Sequence, residues 1–389
     1  MSGKTLLTAV FGLMALAADG LAGQAAPPPQ RHESVVVNIE VPVRVYQNDA
    51  FVDGLTLADF EVLEDGVRQR LEAVYLIKGK LIVREEKAPG TAPPIPGNTR
   101  HYVLYLDLKE YLPRIGEAMD FFFGDVLGPG DSLFVVTPSK TYRFKPEALA
   151  LVPRKEIAER LKGKLRADIQ MGNSAYRNLM RDFYDLEETE YPGELLDLKE
   201  QQLFDMAKQM RDLNEVTEGR LMSVADSLKS LDGEKHVFLL YQKDVLPDHV
   251  FTDDRQAELF KTPGFDVGKV KRIFSDASIT IHFFYITKKP AFSVKTLNIG
   301  RPDPSFSQPD LSADVYVAFK EMARATGGLA DSTTNPHFAV KRAAEASSHY
   351  YLLYYRPLDY RADGTFRKIE VRVKNRELTV THRLGYIAD

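Results

Sequence analysis

The sequence predicts an α/β protein: a doubly wound, mainly parallel sheet, with a flanking β-sandwich-like domain built from the N- and C-terminal strands. Three observations predict it. The apolar run from His101 reaches an acid at Asp107 and is followed by a helix-like segment, the form in which a buried parallel strand delivers a carboxylate to a sheet rim. Between residues 99 and 346, strand-like and helical segments alternate, as they do in a parallel sheet covered on both faces. Before residue 84 and after 347, short strands and turn residues recur instead.

The bulk numbers bound the rest. A chain of 389 residues with 44% hydrophobic and 27% charged residues can bury one large or two medium cores. A formal net charge of -4 gives no general attraction to nucleic acid or to an anionic membrane. The absence of cysteine excludes disulfides, thiolate metal sites, a cysteine nucleophile and lipid attachment through an N-terminal Cys.

Residues 1–25 read as a signal peptide, with Lys4 as the basic start and an uncharged run from Leu6 to Ala18. That run is shorter than the ~20 apolar residues a span requires, although a retained anchor is the alternative. The expectation is an exported protein, periplasmic or secreted, with no membrane span once the signal is removed. A Pro-rich linker follows at 26–33.

The N-terminal β-rich domain is expected over 34–84. Val35 through Val45 alternate with Asn38, Glu40 and Arg44 on the opposite, polar face, and Pro42 suggests an edge strand. Asp65-Gly66 marks a hairpin between Phe60–Leu63 and Val67–Leu71. Thr56 to Asp59 reads as one helical turn capped by Thr56. A Pro/Gly linker is expected at 85–98.

In the 99–346 domain, strands are expected at 102–108, 132–137, 141–144, 236–241 and 278–286, the third as an antiparallel edge. Helical patterns cover about 113–123, 153–166, 194–214, 217–231, 267–276 and 312–325. The 168–214 stretch is a charged helical excursion read as a solvated face; it lacks an Asp-x-Asp-x-Asp-Gly calcium loop. C-terminal hairpins fill 347–389 and are expected to pack with 34–84, the larger domain being inserted between them. The aromatic run 350–355 reads as a strand packed on both sides.

Val-Pro-Val-Arg-Val at 41–45, Gly-Leu-Thr-Leu-Ala-Asp-Phe-Glu-Val-Leu-Glu-Asp-Gly at 54–66, Tyr-Val-Leu-Tyr-Leu-Asp at 102–107, Ala-Thr-Gly-Gly at 325–328, Tyr-Tyr-Leu-Leu-Tyr-Tyr at 350–355 and Phe-Arg-Lys-Ile-Glu-Val-Arg-Val at 366–373 carry a resemblance. Together they resemble the VWFA-related proteins typical of Acidobacteria, which are exported and hold a von Willebrand factor A-like domain. The resemblance implies adhesion or protein interaction rather than catalysis. It also implies a metal-ion-dependent adhesion site, in which Asp-x-Ser-x-Ser, a Thr and a further Asp present hard oxygens to a divalent cation.

This chain departs from that pattern. Asp107 matches the first position, but Lys109 and Tyr111 stand at the two serine positions. An ammonium has no lone pair to donate and repels a dication. Thr217 is the candidate for the second loop and equally a helix cap, while Gln242-Lys243 occupy the third-loop position with Asp244 displaced beyond it. The rim Asp107, Lys109, Tyr111, Thr217, Gln242 and Asp244 is therefore expected to be a degenerate adhesion site without a metal, in which Lys109 either pairs with Asp107 or Asp244 or points into water. The alternative is a rebuilt Mg or Ca site on Asp107, Thr217 and Asp244.

The sequence contains no Gly-x-Ser-x-Gly, no Gly-x-x-x-x-Gly-Lys-Ser/Thr and no His-Glu-x-x-His. The eight histidines are scattered, and His101, His236 and His282 read as strand residues. The leading expectation is an exported, non-enzymatic interaction or adhesion module with a protein partner. A cation-dependent adhesin and a hydrolase without a recognisable motif are its rivals.

Overall fold

Short alternating segments near the N-terminus form β1 (Ile39–Gln47), β2 (Ala50–Phe51), β3 (Phe60–Glu64), β4 (Val67–Gln69), β5 (Leu71–Lys78) and β6 (Leu81–Lys87). The grammar then changes to β7 (Arg100–Asp107), α1 (Arg114–Phe121), β8 (Ser132–Val136), β9 (Thr141–Phe144), α2 (Pro146–Leu151), α3 (Arg154–Gly172), α4 (Ser174–Glu188), α5 (Leu196–Asn214) and α6 (Glu218–Lys229). It continues through β10 (Glu234–Tyr241), α7 (Val267–Asp276), β11 (Ile279–Ile286), α8 (Ala313–Ala325), β12 (Ala330–Thr333) and α9 (Pro336–Ser348). The chain closes with β13 (His349–Tyr355), β14 (Phe366–Val373), β15 (Thr379–His382) and β16 (Gly385–Ile387). The computed structural model describes residues 37–48, 50–91, 93, 97, 99–214, 216–242, 265–287 and 313–388. The signal-peptide reading at 1–25, the linker at 26–33 and Asp244 lie outside these residues.

The alternating half of the chain folds into a sheet of order β12-β11-β10-β7-β8-β9. All its pairs are parallel except β8 with β9, which is the antiparallel edge. Strand order reverses between β7 and β10, so that the crevice beyond their carboxyl ends is the switch point of the sheet. Both faces are covered, which is why β7 is apolar without alternation. Tyr102, Leu104 and Leu106 pack with Ile115, Leu161 and Ala339 from α1, α3 and α9. Val103 and Tyr105 pack with Leu221, Phe274 and Phe319 from α6, α7 and α8. Each such fully buried large apolar side chain contributes ~1.5–3 kcal/mol.

Two antiparallel sheets, one of six strands and one of four, are built from both ends of the chain. In one, β13 lies between β1 and β5; in the other, β14 pairs with β3. Val41, Val43, Val62, Tyr351, Leu353 and Val371 fill the space between them. The β3–β4 turn is the Asp-Gly hairpin, with Asp65 at φ 48° and Gly66 at φ 83°. Residues Val37–Asp389 form one compact unit.

Several expectations are corrected here. β1 is not an edge strand, because β15 flanks it opposite β13; Pro42 is accommodated because β15 pairs only with Val43–Tyr46. Arg44 does not face water: it is 2% exposed, and its Nε donates to Ala346 O at 2.6 Å and its Nη1 to Gly327 O at 3.2 Å. Strand β6 runs to Lys87, into the stretch expected to be linker from 85, because its ladder with β5 continues to Ala73–Lys87. The charged excursion is helical, and α4 and α5 carry their own apolar cluster of Tyr176, Phe183, Leu203, Ala207 and Met210. Its acids Asp182, Asp185, Glu188, Glu190, Glu194 and Asp197 are exposed.

After α8 the chain re-enters the sheet through Gly327, at φ +76°, and Gly328. A Cβ on Gly328 would stand 1.8 Å from Ile281 O, so this approach to β11 admits only glycine.

Candidate functional site

The switch point is assembled from the ends of β7 and β10. Tyr241 is the register partner of Asp107, and the next residue, Gln242, donates its N–H to Asp107 O at 2.9 Å. Its side chain then bridges the loop beyond β7. Gln242 Oε1 accepts the N–H groups of Lys109 at 3.1 Å and Glu110 at 3.4 Å, while Nε2 donates to Glu110 Oε1 at 3.3 Å. These bonds fix where the side chains of Asp107 and Lys109 point.

Lys109 Nζ lies 3.4 Å from Asp107 Oδ1 and 5.8 Å from the centre of the Tyr176 ring. Asp107 and Lys109 are each only 4% exposed. The helical excursion closes the rim over them: Asn173, at the α3–α4 junction, donates from Nδ2 to Leu108 O and Ile169 O, both at 2.8 Å, and so brings Tyr176 across the ammonium. Asp107 Oδ2 is buried and has no hydrogen-bond partner among the described residues. The open rim expected from sequence is corrected on this point. The carboxylate stands at the strand end but is out of solvent, so neither it nor Lys109 can touch a partner directly.

The other rim candidates diverge. Tyr111 is half-buried against the α1 face of the core, with the Arg166 guanidinium 5.1 Å from its ring centre. Burial pushes its phenol up, and Arg166 pulls in the opposite direction. Thr217 caps α6, its Oγ1 accepting the Arg220 N–H at 3.3 Å. It lines a cleft of about 640 Å³ between α6 and the β8–β9 hairpin, which Asp107, Lys109, Tyr111 and Gln242 do not line.

Among the described residues, the rim oxygens do not converge as a ligand set for a divalent cation. Of the candidate oxygens, Asp107 Oδ1 faces an ammonium while its Oδ2 has no partner among the described residues, Gln242 Oε1 already accepts two N–H groups, and the Thr217 hydroxyl serves its helix away from the switch point. Octahedral Mg²⁺ needs several such oxygens converging on one point. Among the described residues, no group of three or more His, Cys, Asp or Glu is placed to hold a metal ion.

Charge is also buried at the opposite end of the sheet. Arg100 Nη2 meets Asp131 Oδ2 at 2.9 Å, and Lys80 Nζ meets Asp131 Oδ1 at 2.6 Å. Glu234 Oε2 lies 3.1 Å from His236 Nε2, and burial pushes the Glu234 carboxyl up to about 8. Burial holds His236 and His282 well below the ordinary imidazole range. His282 accepts the Leu329 N–H at 3.3 Å, and His101 sits between Ser132 Oγ at 2.7 Å and Asp232 O at 2.9 Å. These histidines serve the strands.

Sequence reasoning passed over Asn173, Tyr176 and Glu110, which shape the rim, and Arg143 and Arg220, which line the cleft. The only sequence signal for Asn173 and Tyr176 was the length of the helical excursion, while Glu110 simply follows Lys109 in the loop beyond β7. Among the described residues, no helix is long and apolar enough to cross a membrane.

No family model and no curated protein matches the chain in sequence. Among solved structures it is similar to the human COPII-coat protein Sec24c, with 8% identity, 78% of this chain and 45% of that chain covered, and a TM-score of 0.32. The chain thus spans less than half the length of that protein, and so slight a likeness carries no argument about fold family or function.

Proposed function

We propose that this chain is an exported, non-enzymatic protein-interaction module built on a von Willebrand factor A-like sheet, whose adhesion-site ion position has been taken over by a lysine. The observation that carries the reading is the Lys109 ammonium, 3.4 Å from the strand-end carboxylate Asp107 and buried with it. A cation of the protein's own stands where a dication would be attracted, and it has no lone pair with which to ligate one. The sheet order, with its reversal between β7 and β10, is compatible with such a domain. Interaction then falls to surfaces outside the sealed rim.

Calorimetric titration of the mature protein with Mg²⁺, Mn²⁺ and Ca²⁺ tests the metal-free part of the reading: no saturable heat is expected, and stoichiometric binding of any of the three overturns it. Affinity capture from the native envelope is expected to recover a protein partner without added cation. Turnover in a panel of ester, peptide and phosphate substrates, lost on a point substitution, would replace the module by an enzyme.

A further inference from the structure

We propose that the cleft between α6 and the β8–β9 hairpin is the docking site of this module and takes an acidic segment of a partner protein that also carries apolar side chains. The proposal rests on the interaction reading above and deepens it. The cleft, about 640 Å³, is of the size that encloses a ligand or a short peptide segment.

Its floor is apolar and incompletely covered. Val103 and Tyr105 are buried beneath it, while Phe134 and Val136 of β8 stay half-buried. Its walls are cationic: Lys140, Arg143 and Arg220 line the cleft, and among the described residues no carboxylate side chain does. Lys140 shares Asp168 at 3.6 Å, so its charge is partly answered. Arg143 and Arg220 have no ion-pair partner among the described residues, and Arg143 holds its guanidinium 5.7 Å from the centre of the Phe134 ring, over the apolar floor. An isolated anion would use only the walls, and an isolated apolar group only the floor. A segment carrying both fits the juxtaposition.

A further observation, at the floor of the cleft, points to a ligand. Tyr105 lines the cleft at 2% exposure; its hydroxyl makes no well-formed hydrogen bond among the described residues, and the Arg220 guanidinium is the group beside it. A buried hydroxyl left without a well-formed bond is costly, and a carboxylate entering the cleft would satisfy it. The N-terminal turn of α6, with Thr217 and Gly219, opens into the same space and favours negative charge. A membrane surface is too flat to reach the floor of such a cleft, and the chain's formal charge of -4 does not favour nucleic acid.

The test uses the full mature chain and a short fluorescein-labelled peptide of glutamate and phenylalanine spaced by glycine and serine. Saturable binding is expected, weakening as salt rises. Affinity should fall about tenfold or more for Arg143→Glu/Arg220→Glu. It should also fall for matched peptides with lysine for glutamate or serine for phenylalanine, and several-fold for Tyr105→Phe. Arg143 and Arg220 are exposed, so the double variant should melt with the wild type.

Unchanged affinity in that variant, equal binding of the lysine peptide, no saturable binding, or tighter binding of a single-stranded oligonucleotide each overturns the proposal. If the double variant still captures the same envelope partner as wild type, docking lies elsewhere: the cleft assignment falls and the interaction reading stands. If the peptide binds as expected but the envelope yields no partner, the cleft stands and the broader reading falls.

Discussion

Strand β7 begins and ends in a buried ion pair, and the two ends are built differently. At its start, Asp131 faces Arg100 Nη2 at 2.9 Å, Lys80 Nζ at 2.6 Å and the Gly128 N–H at 2.7 Å, so both its oxygens are engaged. At its end, Asp107 has a single side-chain contact, 3.4 Å to Lys109, and an oxygen with no partner among the described residues. Both carboxylates are buried. Buried charge persists when its lone pairs are satisfied, and a half-satisfied carboxylate calls for an explanation other than stability. The first end is a structural clamp. The second is a strand-end carboxylate covered by a lysine that fits it loosely.

The largest effect is expected at the clamp. Asp131→Ala leaves Arg100 buried without its carboxylate and should cost ~3–5 kcal/mol, read from the urea midpoint at constant slope. Lys109→Ser leaves Asp107 uncompensated and should cost about 2–3 kcal/mol, less than at the clamp because the lost contact is longer. It should create no Mg²⁺ heat in calorimetry, and adding Asp107→Asn should recover part of the loss, since the two residues form one coupled pair. A loss at the rim as large as at the clamp would break the comparison.

A pH effect sharpens it, because the clamp end also holds Glu234. Its carboxyl is pushed up to about 8, above its unfolded value of 4.5, by burial first, with Asp131 adding to the rise and Arg44 and Arg100 opposing it. A group whose pKa is raised in the fold contributes stability that is complete below the unfolded value and is lost as pH rises through the folded one. His236 and His282 are depressed, so their contribution is lost as pH falls below about 6.5. Between about 6.5 and 8 Glu234 dominates this trio, and stability should fall by up to about 1.4 kcal/mol per pH unit. Glu234→Gln should flatten that slope, as measured by urea midpoints at the two pH values; an unchanged slope would remove Glu234 from the account.

The contrast between the two ends also explains what the sequence could disclose. The end of β7 at Asp107, the antiparallel edge at Thr141–Phe144 and the hairpin at Asp65-Gly66 follow from local pattern, and they stand in the structure where that pattern puts them. Sealing of the rim does not follow from local pattern. It depends on Asn173 reaching Leu108 O across 65 residues and on Gln242 binding the Lys109 and Glu110 N–H groups across more than a hundred. Arg44 misled for the same reason. Alternation assigned it to the polar face opposite the valines, yet the chain folds the 99–346 segment against that face, and the carbonyls of Ala346 and Gly327 meet the guanidinium. A face is polar in sequence whether water or distant backbone satisfies it.

The smallest effect separates the rim from the cleft. Thr217 could have served an ion or a helix, and its Oγ1 accepts the Arg220 N–H at 3.3 Å. Thr217→Ala should therefore cost about 1 kcal/mol, and Thr217→Asn, which keeps a cap acceptor, only a few tenths. Neither should alter the response of the melting temperature to Mg²⁺, because the hydroxyl lines the cleft and not the switch point. A Mg²⁺-dependent stabilisation present in wild type and lost in Thr217→Ala would join Thr217 to Asp107 in one site. The ammonium of Lys109 would then have to leave its place beside the carboxylate, and the rim would be an ion site after all.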